Sequence, residues 1–313
     1  MFVLGLDAGG TKTVCLLADG DGQVLAEARR GGANLQAAGE LEVEKVLHDV
    51  MEEALAACDG VPSAICLGIA GVDRPGDAVV VAGIMKRIGY KARVLVVNDA
   101  LVALEAGAPA SAGVVVIAGT GSIAYGRNDR NEAARAGGWG YMLGDEGSGY
   151  WIGRAALRAV LRQADRRGPN TELTGLLLAY FAVERAQDLI HHVYQGTLKP
   201  GAIAALAQCV YAGFQHGDEV SIGILREAAD QLESSAISVA RRLDLAGTDF
   251  PFVLAGGMFR AIRWLHGELD RRLTTALPGS RTALLGVEPA VGAIRLALAD
   301  VRGGYTPPRY RDA

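Results

Sequence analysis

Two carboxylates and two glycine–hydroxyl bends are the parts of this 313-residue chain best suited to chemistry. The first carboxylate, Asp7, closes the apolar run Val3-Leu4-Gly5-Leu6 and is followed by Ala8-Gly9-Gly10-Thr11-Lys12-Thr13 and a second apolar run, 14–17. Two apolar runs around a small polar centre predict a tight β-hairpin, with Gly9 and Gly10 free to take φ > 0 at the bend. The bend presents backbone N–H groups and the hydroxyls of Thr11 and Thr13 with no bulky side chain in the way. A carboxylate able to hold hydrated Mg²⁺ beside a ring of N–H donors makes a polyphosphate site. The run has neither the G-x-x-x-x-G-K-[ST] order of a Walker A loop nor a G-x-G-x-x-G opening a helix. The second bend, Gly119-Thr120-Gly121-Ser122, joins apolar residues 113–118 to 123–126 and repeats the device. The second carboxylate, Asp99, follows the apolar run 94–97 and Asn98. A carboxylate there is placed for acid–base work at a strand end, but Asn98-Asp99 also reads as the N-cap of a helix starting at Ala100. Both readings stand on the residues alone.

These groups need a scaffold, and the pattern supplies one. After the hairpin at 3–8 and 13–19 comes a third strand at 23–29, then a glycine-rich loop holding Asn34. Apolar spacing predicts a helix over 40–58, a strand at 64–70, a helix over 77–88, a strand at 93–97 and a short helix over 100–106. Such alternation means an α/β fold with parallel pairing. From 113 the plan restarts with the second hairpin. Residues 147–247 read as mostly helical, followed by a strand at 252–255 closed by Gly256-Gly257, a helix over 259–275, a strand at 282–286 and a helix over 289–299 opened by proline. The tail from 303 is expected to be loosely held.

Composition narrows the class. Half the residues are hydrophobic and 21% are charged, which fits a folded protein of two domains. A formal net charge of −4 gives no footprint for nucleic acid. No apolar run approaches the roughly 20 residues of a membrane span, and no leader precedes the first strand, so a cytoplasmic enzyme is expected. The four cysteines, Cys15, Cys58, Cys66 and Cys209, lack metal-site spacing and read as buried thiols.

The order of an Asp-bearing hairpin, a strand-end Asp, a Gly-Thr-Gly-Ser hairpin and a strand ending in Gly-Gly resembles the superfamily of actin, heat-shock chaperone ATPases and sugar kinases. The run from Gly137-Gly138-Trp139-Gly140 to Gly144-Asp145-Glu146-Gly147-Ser148-Gly149 is similar to the N-acetylglucosamine kinase branch. That branch also contains glucosamine kinases and the ATPase activators of benzoyl-CoA reductase and 2-hydroxyacyl-CoA dehydratase. The resemblance implies two ribonuclease H-like (actin-like ATPase) domains with a cleft between them. These would be 1–112, joined by a C-terminal helical segment 287–313, and 113–286 with a largely helical insertion. It implies ATP and Mg²⁺ as cofactors, with Asp7 at the metal and Gly9, Gly10, Thr11 and Lys12 on the phosphates. Thr120, Gly121 and Ser122 would form the second phosphate loop. Gly256 and Gly257, with Gly213, would line the adenosine. Asn34, Gly138, Trp139, Gly140 and Asp145 would bind the sugar together with Asp99, the general base.

Chemistry favours Asp99 in that role beside the resemblance. Phosphoryl transfer to a hydroxyl needs a carboxylate at a strand's carboxyl end to accept the proton, and a metal-associated Asp7 has its lone pairs engaged. Asp145 is the rival base. Glu146 reads as a solvated turn residue or an approach to the metal. Asp73, after Gly71-Val72, is a weaker cleft candidate. The expected activity is phosphorylation of the 6-hydroxyl of N-acetylglucosamine. Glucosamine kinase is the alternative, and a dehydratase-activating ATPase ranks third because its iron–sulfur cluster needs convergent surface thiolates. The branch implies a homodimer acting on a small sugar.

Overall fold

The computed structural model describes every residue except 36–38, 59, 73–74, 195–197 and 312–313. The chain opens with strands β1 (Val3–Ala8), β2 (Lys12–Ala18) and β3 (Val24–Gly31). It continues through helix α1 (Glu40–Leu55), β4 (Ala64–Ile69), α2 (Pro75–Ile88), β5 (Arg93–Asn98) and α3 (Asp99–Gly107). The second half begins β6 (Gly113–Ala118), β7 (Ser122–Arg127), β8 (Glu132–Gly137). Then come α4 (Gly149–Ala164), α5 (Leu173–Phe181), α6 (Leu189–Tyr194), α7 (Pro200–Ala205), α8 (Ala207–Gln215) and α9 (Glu219–Arg242). It closes with β9 (Phe250–Ala255), α10 (Gly257–Ala261), α11 (Arg263–Ala276), β10 (Ser280–Leu284), α12 (Ala290–Val301) and β11 (Arg309–Tyr310).

Two mixed sheets result, in the orders β3-β2-β1-β4-β5 and β10-β9-β6-β7-β8-β11. In the first, β1 is central, antiparallel to β2 with Asp7 opposite Val14, and parallel to β4. In the second, β6 has the same position, antiparallel to β7 and parallel to β9. Both central strands are almost wholly buried, which is why they are near-continuous apolar runs rather than alternating ones.

A helical layer is packed between the two sheets. One apolar cluster packs α1 and α2 on the outer face of the first sheet, and another packs the long helical insertion on the outer face of the second. A third lies between the sheets and is built from α3 and α12 together with Val3, Val14, Val115 and Val253. Within that layer α12 approaches its neighbours backbone to backbone. A Cβ on Gly292 would lie 1.9 Å from the Val102 carbonyl oxygen of α3, and one on Gly5 would lie 2.5 Å from the Ile294 nitrogen. The helix therefore rests on β1 and α3 at once, with no side chain as spacer. Arg295 donates to the carbonyls of Glu105 and Ala106 at the end of α3, at 2.7 and 3.0 Å. Glu105, buried in turn, pairs with Arg127 of β7 at 2.9 Å and carries this layer's charge pairing into the second sheet.

Two elements differ from the sequence-based expectation. β8 has small, weakly apolar residues, EAARAG, and its pattern predicts no strand, yet it pairs along its length with β7. The tail is not loose. Residues 309–310 form β11 beside β8, Asn131 donates to the Thr306 carbonyl at 3.0 Å, and Arg311 pairs with Glu132 and Asp244. An exposed sheet edge offers unpaired backbone groups, and the tail satisfies them.

Substituting Gly292 by Val should cost at least the ~1–3 kcal/mol of an overpacked core, read as a fall in the urea midpoint by circular dichroism. Gly267→Ala is the control in α11, since nothing lies within 4 Å of its added Cβ; it should leave the midpoint unchanged or raise it.

Candidate active site

Asp7 is the penultimate residue of β1, and its hairpin closes with Gly9 N–H donating to the Lys12 carbonyl at 2.9 Å. Neither Gly9 nor Gly10 takes positive φ, contrary to the expectation. The tight contact at this bend is made by Gly32 of the segment that passes it. The strand leaving β3 passes so close that a Cβ on Gly32 would lie 2.2 Å from the Gly10 oxygen, and Ala33 N–H donates to the Gly9 carbonyl at 3.0 Å. That contact brings Asn34 to the same bend. The other side of Gly10 is open, with nothing within 4 Å of an added Cβ. Thr13 turns inward to the Gly31 carbonyl at 2.8 Å and braces the hairpin, whereas Thr11 and Lys12 remain exposed.

Asp99 is the first residue of α3. The helix is capped by Asn98, whose side chain accepts from Ala100 N–H at 2.8 Å. The Asn98 side chain supplies the cap, and Asp99 lies half-buried in the first turn of α3. Its charge reaches Asp7. Burial first, then the Asp99 charge and Glu288, push the Asp7 carboxyl up to about 7, against the opposing pull of Lys12. A buried carboxyl beside a second carboxylate favours taking up a proton or a further cation.

The second hairpin faces the first. Thr120 Oγ1 stands 2.8 Å from Thr11 Oγ1, so the two bends meet through their hydroxyls although 109 residues separate them. Gly119 N–H bonds the Gly121 carbonyl at 2.9 Å, and the start of α4 returns to this bend through Gly149 N–H to the Gly119 carbonyl at 2.8 Å. Gly256, at φ 103°, sits where a Cβ would lie 2.3 Å from the Ala118 oxygen, which places the end of β9 against the bend; the space beyond Gly257 is open.

The segment from Gly137 to Gly149 wraps this second bend. Gly137, Gly138 and Gly140 all take positive φ, between 71° and 86°, and swing Trp139 outward; its side chain is 59% exposed, not a core anchor. The Arg135 guanidinium covers the indole at 4.3 Å and also donates to the Gly137 carbonyl at 2.7 Å. Asp145 is buried against the bend. Its carboxylate accepts from Gly140 N–H at 3.2 Å and from Ser122 N–H, and a Cβ on Gly121 would lie 2.5 Å from its Oδ2. Burial pushes its carboxyl up to about 6 while those two N–H groups oppose the shift. Ser122 Oγ donates to the Glu146 carbonyl at 2.8 Å; the Glu146 side chain is exposed.

The structure therefore gathers Asp7, Gly9, Gly10, Thr11, Lys12, Asn34 and Asp99 around one bend. It gathers Thr120, Gly121, Ser122, Gly138, Trp139, Gly140, Asp145, Gly256 and Gly257 around the other. Gly213 lies apart from these contacts, buried in α8 where its missing side chain makes room for Ser221 of α9. Asp73 lies outside the described residues. Sequence reasoning did not single out Glu288, which pairs with Lys12 at 2.7 Å; its only signal was a carboxylate next to the proline that starts the last helix.

A fold of two such hairpin-bearing sheets around a shared helical layer defines the actin-like ATPase and sugar-kinase class, and similarity to known proteins narrows it. The chain belongs to the BadF/BadG/BcrA/BcrD ATPase family, which it matches over residues 4–297. It is 36% identical over 306 residues to an N-acetylmuramic acid/N-acetylglucosamine kinase of Clostridium acetobutylicum, covering 96% of this chain and 99% of that one. It is 34% identical over 309 residues to an N-acetyl-D-glucosamine kinase of Dictyostelium discoideum, covering 94% and 97%. Among solved structures, a candidate N-acetylglucosamine kinase of Chromobacterium violaceum superposes with a TM-score of 0.75 at 27% identity, covering 95% and 98%. Among the described residues no helix is long and apolar enough to cross a membrane.

Because the folded state holds the Asp145 proton more tightly than the unfolded chain, this carboxyl supports folding fully below pH ~4 and loses that contribution as pH rises through about 6. The loss amounts to about 2–3 kcal/mol at 1.36 kcal/mol per unit. Asp145→Asn should remove the dependence, so the stability gap between the two proteins should change between pH 4 and 7. A constant gap in melts across that range contradicts the assignment.

Proposed function

We propose that this protein is an ATP-dependent amino-sugar kinase that transfers the γ-phosphate to the 6-hydroxyl of N-acetylglucosamine. One observation carries the reading: a buried Asp7 and a half-buried Asp99 at the start of α3 share one electrostatic neighbourhood beside two hairpin bends that meet at Thr11 and Thr120. The names of the two relatives above 30% identity support the same acceptor class.

In this reading the lobes that close on the substrates are 1–112 with the returning C-terminal helix, and 113–286. Asp99 accepts the proton of the sugar hydroxyl as its oxygen attacks the γ-phosphorus and the bond to the β-phosphate oxygen breaks, releasing ADP. The N–H groups and hydroxyls of Gly9–Thr11 and Thr120–Ser122 hold the phosphate oxygens from either side. Asn34, Trp139 and the Gly138–Gly140 turn receive the sugar, with Asp145 bracing the turn against the second bend. Gly256 and Gly257 leave space for adenosine. The donor chemistry at Asp7 suits Mg²⁺, a hard cation that takes carboxylate oxygen, and a carboxyl raised to about 7 is one that a cation would return to its charged form. Bound there, Mg²⁺ would spread the charge developing on the transferred phosphoryl group. Closure excludes water, which would otherwise accept the phosphate. The resemblance also implies a cytosolic homodimer.

The activator class fits less well. Cys15 and Cys66 are buried in strands with thiols pushed far up by burial, so neither is a thiolate ready for a surface cluster; Cys58 and Cys209, expected to be buried, are half-buried.

ADP release should be measured with Mg-ATP against N-acetylglucosamine, glucosamine, N-acetylmuramic acid, glucose and N-acetylmannosamine. Turnover on N-acetylglucosamine should fall roughly 10²–10⁴-fold in Asp99→Asn, with nucleotide affinity retained. Preference for glucosamine selects the alternative substrate, and sugar-independent hydrolysis that survives the substitution overturns the kinase reading.

A further inference from the structure

Glu288 stands immediately ahead of α12, 276 residues from its partner Lys12. Its two oxygens are divided between two cations of the first sheet: Oε2 takes the Lys12 ammonium at 2.7 Å and Oε1 the Arg29 guanidinium at 2.9 Å. Arg29 is itself paired with Glu27 on the same strand. Burial alone would push the Glu288 carboxyl up, but Lys12 and Arg29 together hold it below the usual carboxylate range, so it is charged at neutral pH. The Lys12 side chain is 48% exposed and that of Glu288 23%. An ion pair this exposed adds only ~0–1 kcal/mol to stability, so stability is a poor account of it.

The geometry points to Glu288 as a positioning residue that holds the Lys12 ammonium at the Asp7 hairpin for the phosphates of the nucleotide. This rests on the reading of that hairpin as the phosphate site. A free lysine on an exposed strand end samples many rotamers, and binding a phosphate would have to stop them. Glu288 removes that freedom beforehand. Its own place is set by α12, which the close contacts at Gly5 and Gly292 lock onto β1 and α3, the elements carrying Asp7 and Asp99. Arg29 fixes the tilt of the carboxylate by taking its second oxygen. An ammonium has three donors and Glu288 engages one, so the pairing still leaves donors for phosphate oxygens. Lys12 and Glu288 both act on the Asp7 charge, which puts all three groups in one site.

The test is a double-mutant cycle read by calorimetric titration of Mg-ATP and of ADP, with steady-state kinetics alongside. Lys12→Met should weaken nucleotide binding roughly tenfold or more, the loss of a charge-assisted contact. Glu288→Gln should weaken it roughly three- to tenfold, raising KM for ATP while kcat and the KM for sugar hold, and should have no further effect in the Lys12→Met background. Glu288→Asp should recover part of the loss. Should Glu288→Gln fail to fold, Arg29→Met, a change at an exposed side chain, should show the same selective rise in KM for ATP. Independent, multiplicative losses in the double variant overturn the proposal, as does unchanged nucleotide affinity in folded Glu288→Gln. Unchanged affinity in Lys12→Met also overturns it. Asp7→Asn in the same titration then shows whether the phosphate reading falls too: lost affinity for Mg-ATP retains that reading, and unchanged affinity removes it.

Discussion

A carboxylate buried beside another carboxylate is the constraint to which the rest of this structure answers. Asp7 sits at the end of a fully buried strand, and the charge of Asp99 reaches it. Such a group must find a proton or a cation, because the desolvated anion alone is costly. Natural folds keep arrangements of this kind where chemistry needs them. Around Asp7 the chain spends residues that contribute little to packing: a bend whose glycine faces open space, hydroxyls left at the surface, and a lysine pinned by a distant glutamate.

The relative placement of Asp7 and Asp99 is a matter of layers. One lies near the end of β1 and the other at the start of α3. α12 supplies the registration. Gly5 and Gly292 bring its backbone within contact of β1 and α3, so shifting one carboxylate relative to the other would require parting close-packed main chain. The same helix begins next to Glu288, which links the hairpin's cation to the frame that sets the carboxylates. At its far end the chain continues into β11 on the second sheet, and together with Arg127–Glu105 this ties the two halves at points remote from the bends.

The Gly137–Gly149 segment shows how a loop can be ordered without a core. Its glycines accept left-handed backbone that other residues resist, and Asp145 draws the segment onto the second bend through two N–H groups. Arg135 stacks on the Trp139 indole, an interaction that holds a large apolar ring at the surface in one orientation. A wall made this way is stiff yet exposed.

Much of this was legible in the chain itself. Apolar runs flanking small polar bends name both hairpins, the alternation of strand and helical periods names an α/β fold, and the position of Asp7 and Asp99 at strand ends follows from local pattern alone. Those properties depend on neighbours a few residues apart, where steric and hydrogen-bonding rules act directly. The tertiary structure decided what depends on distant partners. It showed that Gly9 and Gly10 do without positive φ, and that the close passage at their bend belongs to Gly32 of the segment after β3. It also made a strand of the weakly patterned β8 by giving it β7 and the tail to pair with, put Gly213 against Ser221, and set Glu288 on Lys12 across nearly the whole chain. None of these has a local signal, because each is fixed by packing between segments whose separation in sequence carries no information about their contact in space.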